Sequence, residues 1–291
     1  AVFPFIQYAP DLLVNKFNFS YVLPEAATVR FMGSPALGSG LVYLVVFVFA
    51  LAITLVPTNL KKREHQVYSL AAVLGVFLLA LYLSRDIISL WLVNGPKTAS
   101  LIPLSTIVFT PVFGTLVDRR GKAASFMILG SLLLIFAHLS LSVFNHVFFA
   151  YLGLISLGMA FSLVPAAMWP SVAKIVAENR LGTAYASMFT VQNWGLGAFF
   201  WGIGKVLDLV NPEVISAIQS AREKLEAAGL GEAEITEKLQ QMRAAGELAS
   251  YNYTIPVLVL VVCGVISIFL ALQLKKADRL QGYGLEKPSN S

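Results

Sequence analysis

The chain has 291 residues, of which 57% are hydrophobic and only 13% charged, with a mean hydropathy of +0.74 and a net charge of +5. A water-soluble domain carries roughly 25% charge and would expose large apolar patches at this composition, so soluble enzymes and soluble binding modules are excluded. The positive charge does not point to nucleic acid, because the cations sit beside apolar runs, and the single cysteine, Cys263, lies inside such a run, reads as a buried inert thiol and leaves no disulfide framework.

The chain opens on Ala1-Val2-Phe3-Pro4-Phe5-Ile6, with no basic leader and no small-residue cleavage site. Residues 1–14 read as the stub of a membrane helix, and the chain as a fragment cut inside a span. A polar stretch with Gly and Pro fills 15–39. Apolar runs at 40–57, 67–93, 99–117, 123–143, 147–172, 182–206 and 251–274 approach the ~20 residues that cross a ~30 Å hydrocarbon core. Lipid offers no hydrogen bonds to the backbone, so each run is expected as a helix. If the turn around Asp118 faces the cytoplasm, alternation gathers Lys61, Lys62, Arg63, Arg119, Arg120, Lys122, Lys174, Arg180 and the basic residues after 274 on the inner face. That is the positive-inside pattern.

Residues 207–250 read as a soluble helical hairpin on the outer face. Asn211 is the expected N-cap and Pro212 the first helical residue. Val214, Ile218, Ala221 and Leu225 form one apolar seam, and Ile235, Leu239 and Met242 a second; Gly229, Gly231 and Gly246 break the helices. A decoration is the plain reading of this hairpin, and a lid or docking site the sharper one.

The membrane spans carry few chemical groups. Gln192 and Asn193 sit mid-span, where amides are costly unless bonded; they either join helices or face a watery cavity. Gly195, Gly197, Gly202 and Gly204 allow close helix contact, while Pro103, Pro111, Pro165 and Pro170 predict kinks. Trp169 and Trp194 read as packing residues or as platforms for a substrate. His138 reads as a packed or interfacial residue, and Arg85-Asp86 as a surface pair. No carboxylate stands at mid-membrane, and no catalytic set recurs at helical spacing. No cofactor, metal or nucleic-acid partner is expected.

Between two of the runs lies Gly114-Thr115-Leu116-Val117-Asp118-Arg119-Arg120-Gly121-Lys122. Its cations can grip anionic headgroups, and Gly114 and Gly121 suit close packing and a sharp turn. The segment resembles the loop signature of the major facilitator superfamily of transporters: Gly, three residues, Asp, Arg/Lys, any residue, Gly, Arg/Lys. Further on, Met168-Trp169-Pro170, Leu181-Gly182-Thr183-Ala184-Tyr185 and Gln192-Asn193-Trp194-Gly195-Leu196 resemble helices 10 and 11 of the branch that includes lysosomal dipeptide carriers and their bacterial relatives.

The resemblance implies an all-α, polytopic membrane helical bundle, the C-terminal half of a major facilitator fold. Residues 1–14 would be part of helix 7, 99–206 helices 8–11, 251–274 helix 12 and 275–291 a cytoplasmic tail. Residues 15–98 would add an outer segment and an inserted two-helix hairpin, and 207–250 an extracytoplasmic hairpin. It implies alternating access by a carrier of small solutes, dipeptides among them, rather than an enzyme. Gly114, Asp118, Arg119, Arg120, Gly121 and Lys122 would form a conformational-switch loop, with Asp118 capping a helix of the opposite half. Gln7, Tyr8, Trp169, Gln192 and Asn193 would face the substrate cavity. The partners implied are a small-molecule or peptide substrate, the lipid bilayer and an N-terminal half of the same protein; a bacterial inner membrane is favoured over a lysosomal one. A non-transporting receptor or partner subunit is the alternative, ahead of an intramembrane enzyme.

Overall fold

A computed structural model describes residues 2–288; Ala1 of the predicted stub and residues 289–291 of the predicted tail lie outside the described residues. The described chain is helical: α1 (Val2–Phe17), α2 (Pro35–Thr58), α3 (Arg63–Leu83), α4 (Arg85–Leu92), α5 (Gly95–Ala99), α6 (Leu101–Arg120), α7 (Ala123–Val143), α8 (Val147–Ile175), α9 (Leu181–Val210), α10 (Pro212–Ala227), α11 (Glu232–Ala244) and α12 (Thr254–Gln281). Among the described residues six stretches have the length and hydropathy of a crossing: α2, α3, α5 with α6, α7, α8 and α12. The chain is a multi-pass integral membrane protein.

One expected span needs correction, and a second is less apolar than the others. The run 67–93 breaks at Ser84 into α3 and α4, and the Arg85–Asp86 pair (3.7 Å) stands exposed just past the break. The run 182–206 does form a helix, the 30-residue α9, but this helix is not among the six apolar crossings. Gln192, Asn193 and the glycines dilute its apolar content.

Helices α6, α8, α7 and α12 pack side by side in that order. Lipid removes the hydrophobic drive between helices, so small residues and interhelical hydrogen bonds do the joining. A Cβ on Gly158 of α8 would meet the Ile102 carbonyl and Ser105 of α6 at 2.5 Å, and one on Gly130 of α7 would meet Val164 of α8 at 2.5 Å. Gly264 of α12 fits against Ile135 of α7 in the same way. Ser131 and Ser267 bond across α7 and α12 (2.7 Å), and the Ser162 hydroxyl donates to the Thr106 carbonyl across α8 and α6 (3.0 Å). The glycines expected to give close contact in α9 do not do so: Gly195, Gly197 and Gly202 have nothing within 4 Å of a Cβ, because α9 is open on most sides. Gly204 alone of the four has a neighbour, the Tyr8 hydroxyl at 3.7 Å.

Helix α1 lies against α5, α8 and α9 and buries Phe5, Ala9, Leu12 and Leu13 in the main core. Its Lys16 ammonium donates to the carbonyls of Leu141 (2.9 Å) and Ser142 at the open C-terminus of α7. His138 is fully buried against Phe5 rather than at an interface, with Nδ1 2.8 Å from the Leu134 carbonyl. Cys263 is half-buried in α12, not buried as expected. Prolines 111, 165 and 170 sit inside helices that remain continuous.

The α2–α3 hairpin is held by a stack of Phe49 on Phe77 (3.8 Å between ring centres) and by α2 against α6. Helices α10 and α11 pair through Val214, Ala221 and Ile235, which are buried. Gly231 opens α11 with Glu234 reaching back to its N–H (3.0 Å). Asn211 departs from the expected cap. Its Nδ2 donates to the carbonyls of Leu207 and Asn252 and its Oδ1 accepts from the Asn252 N–H, so it ties the end of α9 to the start of α12.

Candidate functional site

Three regions concentrate the chemistry. The first is a cleft of about 340 Å³ halfway along α7, α8, α9 and α12, closed at one side by the start of α1. Its walls are mostly apolar, with Phe161, Val164 and Phe199, and its polar groups are Ser131, Gln192 and Ser267. The cleft exists because α9 is buried only near its far end, at Ile203 and Leu207, and stands away from its neighbours elsewhere.

The sequence-derived cavity residues divide. Gln192 lines the cleft, whereas its neighbour Asn193 is exposed and outside it. Tyr8 packs toward α9, its hydroxyl 3.5 Å from the Phe200 carbonyl. Trp169 stacks on Phe189 (5.0 Å) and its carbonyl accepts from the Tyr185 hydroxyl (3.0 Å), so it clamps α8 to α9 away from the cleft. Trp194 does not pack within this chain: it is 80% exposed on the open face of α9, with Val191 and Trp201. Gln7 lines a different pocket, with Pro10 and Asp11 from the middle of α1.

The second region is the turn between α6 and α7. Gly121 takes φ 65°, the left-handed region that only glycine enters freely, and Lys122 follows with φ 55°. A Cβ on Gly121 would strike the backbone of Lys287, because the chain after α12 folds back across this turn. Ala123 N–H donates to the Leu285 carbonyl (3.0 Å), and Leu285 is fully buried among Val117, Ala123, Met127 and Ala271. Lys174 donates to the carbonyls of Gly284 and Lys287. Nothing lies within 4 Å of a Cβ on Gly114. Asp118, Arg119 and Arg120 are exposed, and among the described residues Asp118 makes no side-chain hydrogen bond or ion pair. Arg119 lines a groove shared with Gln66 of α3, which puts the Lys61–Arg63 turn at the same end of the bundle as the α6–α7 turn.

The third region was not foreseen from the sequence. Asp11 of α1, Arg243 of α11, Tyr251 and Tyr253 meet at the opposite end of the bundle. The Tyr253 hydroxyl donates to the Asp11 carboxylate, whose other oxygen lies 3.9 Å from the Arg243 guanidinium. That guanidinium stands over the Tyr251 ring (5.1 Å). Burial, with the Asp11 charge next, pushes the Tyr253 phenol above the ordinary tyrosine range, and burial does the same for Tyr251. Only an acidic residue late in the stub and a basic one before Gly246 hinted at this pairing.

No family model and no solved structure matches the chain. Among curated proteins, 111 residues are 34% identical to the lysosomal dipeptide transporter MFSD1 of Gallus gallus, covering 38% of this chain and 24% of that protein. The Homo sapiens protein of that name is 33% identical over 111 residues, and the Danio rerio protein 31% over 112, each match covering 38% of this chain and 23% of the relative. The matched stretch thus spans under a quarter of the length of these relatives. A helical, multi-pass membrane protein, the chain is a distant, partial homologue of the lysosomal dipeptide transporter MFSD1, a transporter of the major facilitator superfamily.

Proposed function

We propose that the chain is part of a carrier that moves a small peptide, such as a dipeptide, across a membrane by alternating access. The observation that carries this reading is the mid-bundle cleft beside Gln192, in a chain whose relatives are dipeptide transporters by name. A crossing helix has little reason to keep an amide pair, four glycines and an exposed tryptophan unless one side meets water or further helices. Helix α9 turns Gln192 and Gly195 to the cleft and leaves Asn193 and Trp194 exposed. In this reading α1 is helix 7, α6 to α9 are helices 8–11, α12 is helix 12, and the open face of α9 meets an N-terminal half. The α2–α3 and α10–α11 hairpins are additions to that plan. A bacterial inner membrane is the membrane we favour.

The turn Gly114–Lys122 then acts as the switch. The Asp118 side chain is exposed and has no bonded partner among the described residues, so it is available to cap a helix of the opposite half. A helix N-terminus bears positive partial charge. A cap that forms in one conformation and breaks in the other biases the equilibrium between them.

Uptake of a labelled dipeptide into proteoliposomes holding the whole protein tests the reading. Saturable uptake, competed by other dipeptides, is expected. No uptake of any member of a dipeptide panel, by protein shown to be folded and inserted, overturns it.

A further inference from the structure

We propose that the pocket between α1 and the α10–α11 hairpin is a capture site for a zwitterionic peptide, with Asp11 receiving the ammonium and Arg243 the carboxylate. The inference rests on the peptide-carrier reading above and assigns the residues that read the two ends of the substrate.

The pocket has a volume of about 520 Å³ and is lined by Gln7, Asp11, Tyr21, Glu237, Gln241 and Arg243, among others. That is within the ~300–1,000 Å³ of ordinary small-ligand sites. Its polar groups come from three separate pieces of chain, α1, the segment after it and α11, so the site is assembled by the fold. The lining holds one cation, Arg243, and two carboxylates, Asp11 on α1 and Glu237 on α11, of which Asp11 is the one paired with Arg243. Asp11 and Arg243 stand on opposite walls, one on α1 and one on α11.

Asp11 and Arg243 hold each other loosely. Their nearest approach is 3.9 Å, and their side chains are 23% and 30% exposed. At that separation the two groups make no direct hydrogen bond, so a ligand ammonium and carboxylate can take over both partners. Each residue stays anchored while it does so. The Tyr253 hydroxyl keeps its hydrogen bond to Asp11, and the Tyr251 ring keeps its face under the guanidinium. Among the described residues Arg243 is partnered only by Asp11 and Tyr251, which leaves most of its five N–H donors for a bidentate carboxylate contact. A dipeptide spans roughly 7 Å between its charged ends. The long Arg243 side chain, one residue from the end of α11 and three before Gly246 (φ 74°), supplies the reach. Gln7, Gln241 and Tyr21 are left to meet the peptide group.

The test is binding to the whole protein in detergent micelles of three probes: dialanine, its N-acetyl derivative and its C-terminal amide. Wild type is expected to bind dialanine at least about tenfold more tightly than either blocked form, since each block removes one charge-assisted contact. Asp11→Asn should lose the preference against the N-acetyl form and keep the preference against the amide. Arg243→Gln should do the opposite, and Arg243→Lys should retain part of the carboxylate preference. A merely structural pair would weaken all three probes together and would not exchange selectivity. If wild type binds dialanine and both variants keep both preferences, the assignment is overturned and the carrier reading stands. The same holds if folded wild type binds the three probes alike. If wild type takes up none of a dipeptide panel, the peptide reading itself falls and takes this site with it.

Discussion

Glu286 accepts hydrogen bonds from both the backbone N–H (3.2 Å) and the hydroxyl (2.9 Å) of Ser125, so the chain beyond α12 supplies the N-terminal cap of α7. Helix α7 has no side-chain cap of its own, because Lys122 stands where a Ser or Asp usually does. A carboxylate here also meets the positive end of the helix dipole, and Lys275 lies 3.5 Å away to balance it.

Removing these contacts should be felt globally. Glu286→Ala should cost about 1 kcal/mol, the worth of a cap. Leu285→Ala should cost about 2–5 kcal/mol, because the side chain is fully buried beside Val117 and Met127. Thermal unfolding of the purified protein in detergent checks both. Unchanged midpoints for both variants would show that the segment after α12 is not seated on the turn.

The two glycines of the loop should respond in opposite ways. Gly121→Ala meets a positive φ and the Lys287 backbone at once, so it should destabilise by about 1–3 kcal/mol. Gly114→Ala meets open space inside α6 and should leave stability unchanged or raise it by up to about 1 kcal/mol. If Gly114→Ala nonetheless abolishes uptake by the whole protein, the space beside it is used by another helix during the transport cycle.

Gly158 and Gly195 make a second contrast. Gly158→Ala forces a methyl group into the Ile102 carbonyl and Ser105, and should cost about 1–3 kcal/mol through displaced helices. Gly195→Ala finds no atom within 4 Å and should be tolerated by the fold. Detergent stability of the two variants distinguishes them. A fall in the Gly195→Ala midpoint as large as for Gly158→Ala would mean that the open side of α9 is closed.

Asp118→Asn should leave unfolding unchanged, since the carboxylate has no bonded partner among the described residues. If the switch proposal holds, uptake falls at least about tenfold while substrate binding is kept. Uptake equal to wild type, with the same protein level, would remove Asp118 from the mechanism.

Much of this fold was legible because lipid simplifies the code. The run predicted at 123–143 is α7 residue for residue, since Gly121-Lys122 and Phe144-Asn145 bound an uninterrupted apolar stretch. The turn at Gly121 was legible for the same kind of local reason. What escaped was tertiary. Which glycines are close-packed depends on where neighbouring helices lie: the cluster of four in α9 drew attention, whereas Gly158, Gly130 and Gly264 are among those in close contact. Leu285 is a lone apolar residue in a polar segment and offers no period to detect. Asp11 and Arg243 are separated by almost the whole chain, and no local pattern announces that pairing. Gln192 was found because an amide at mid-span is costly wherever it sits, but the same argument applied to Asn193, one residue around the helix and outside the cleft.

The neck of the α2–α3 hairpin has an architectural consequence. Ser20 N–H donates to the Val93 carbonyl and Gly95 N–H to the Ser20 carbonyl, both at 2.9 Å, so the segment leaving α1 is pinned to the segment returning into α5. Everything from Tyr21 to Leu92 leaves and rejoins the chain at that clasp, with α2 also packed against α6. Evolution could graft or prune such a pendant without rethreading the remaining helices, and an engineer could splice Ser20 to Asn94 through a few glycines and still recover the α6–α8–α7–α12 row.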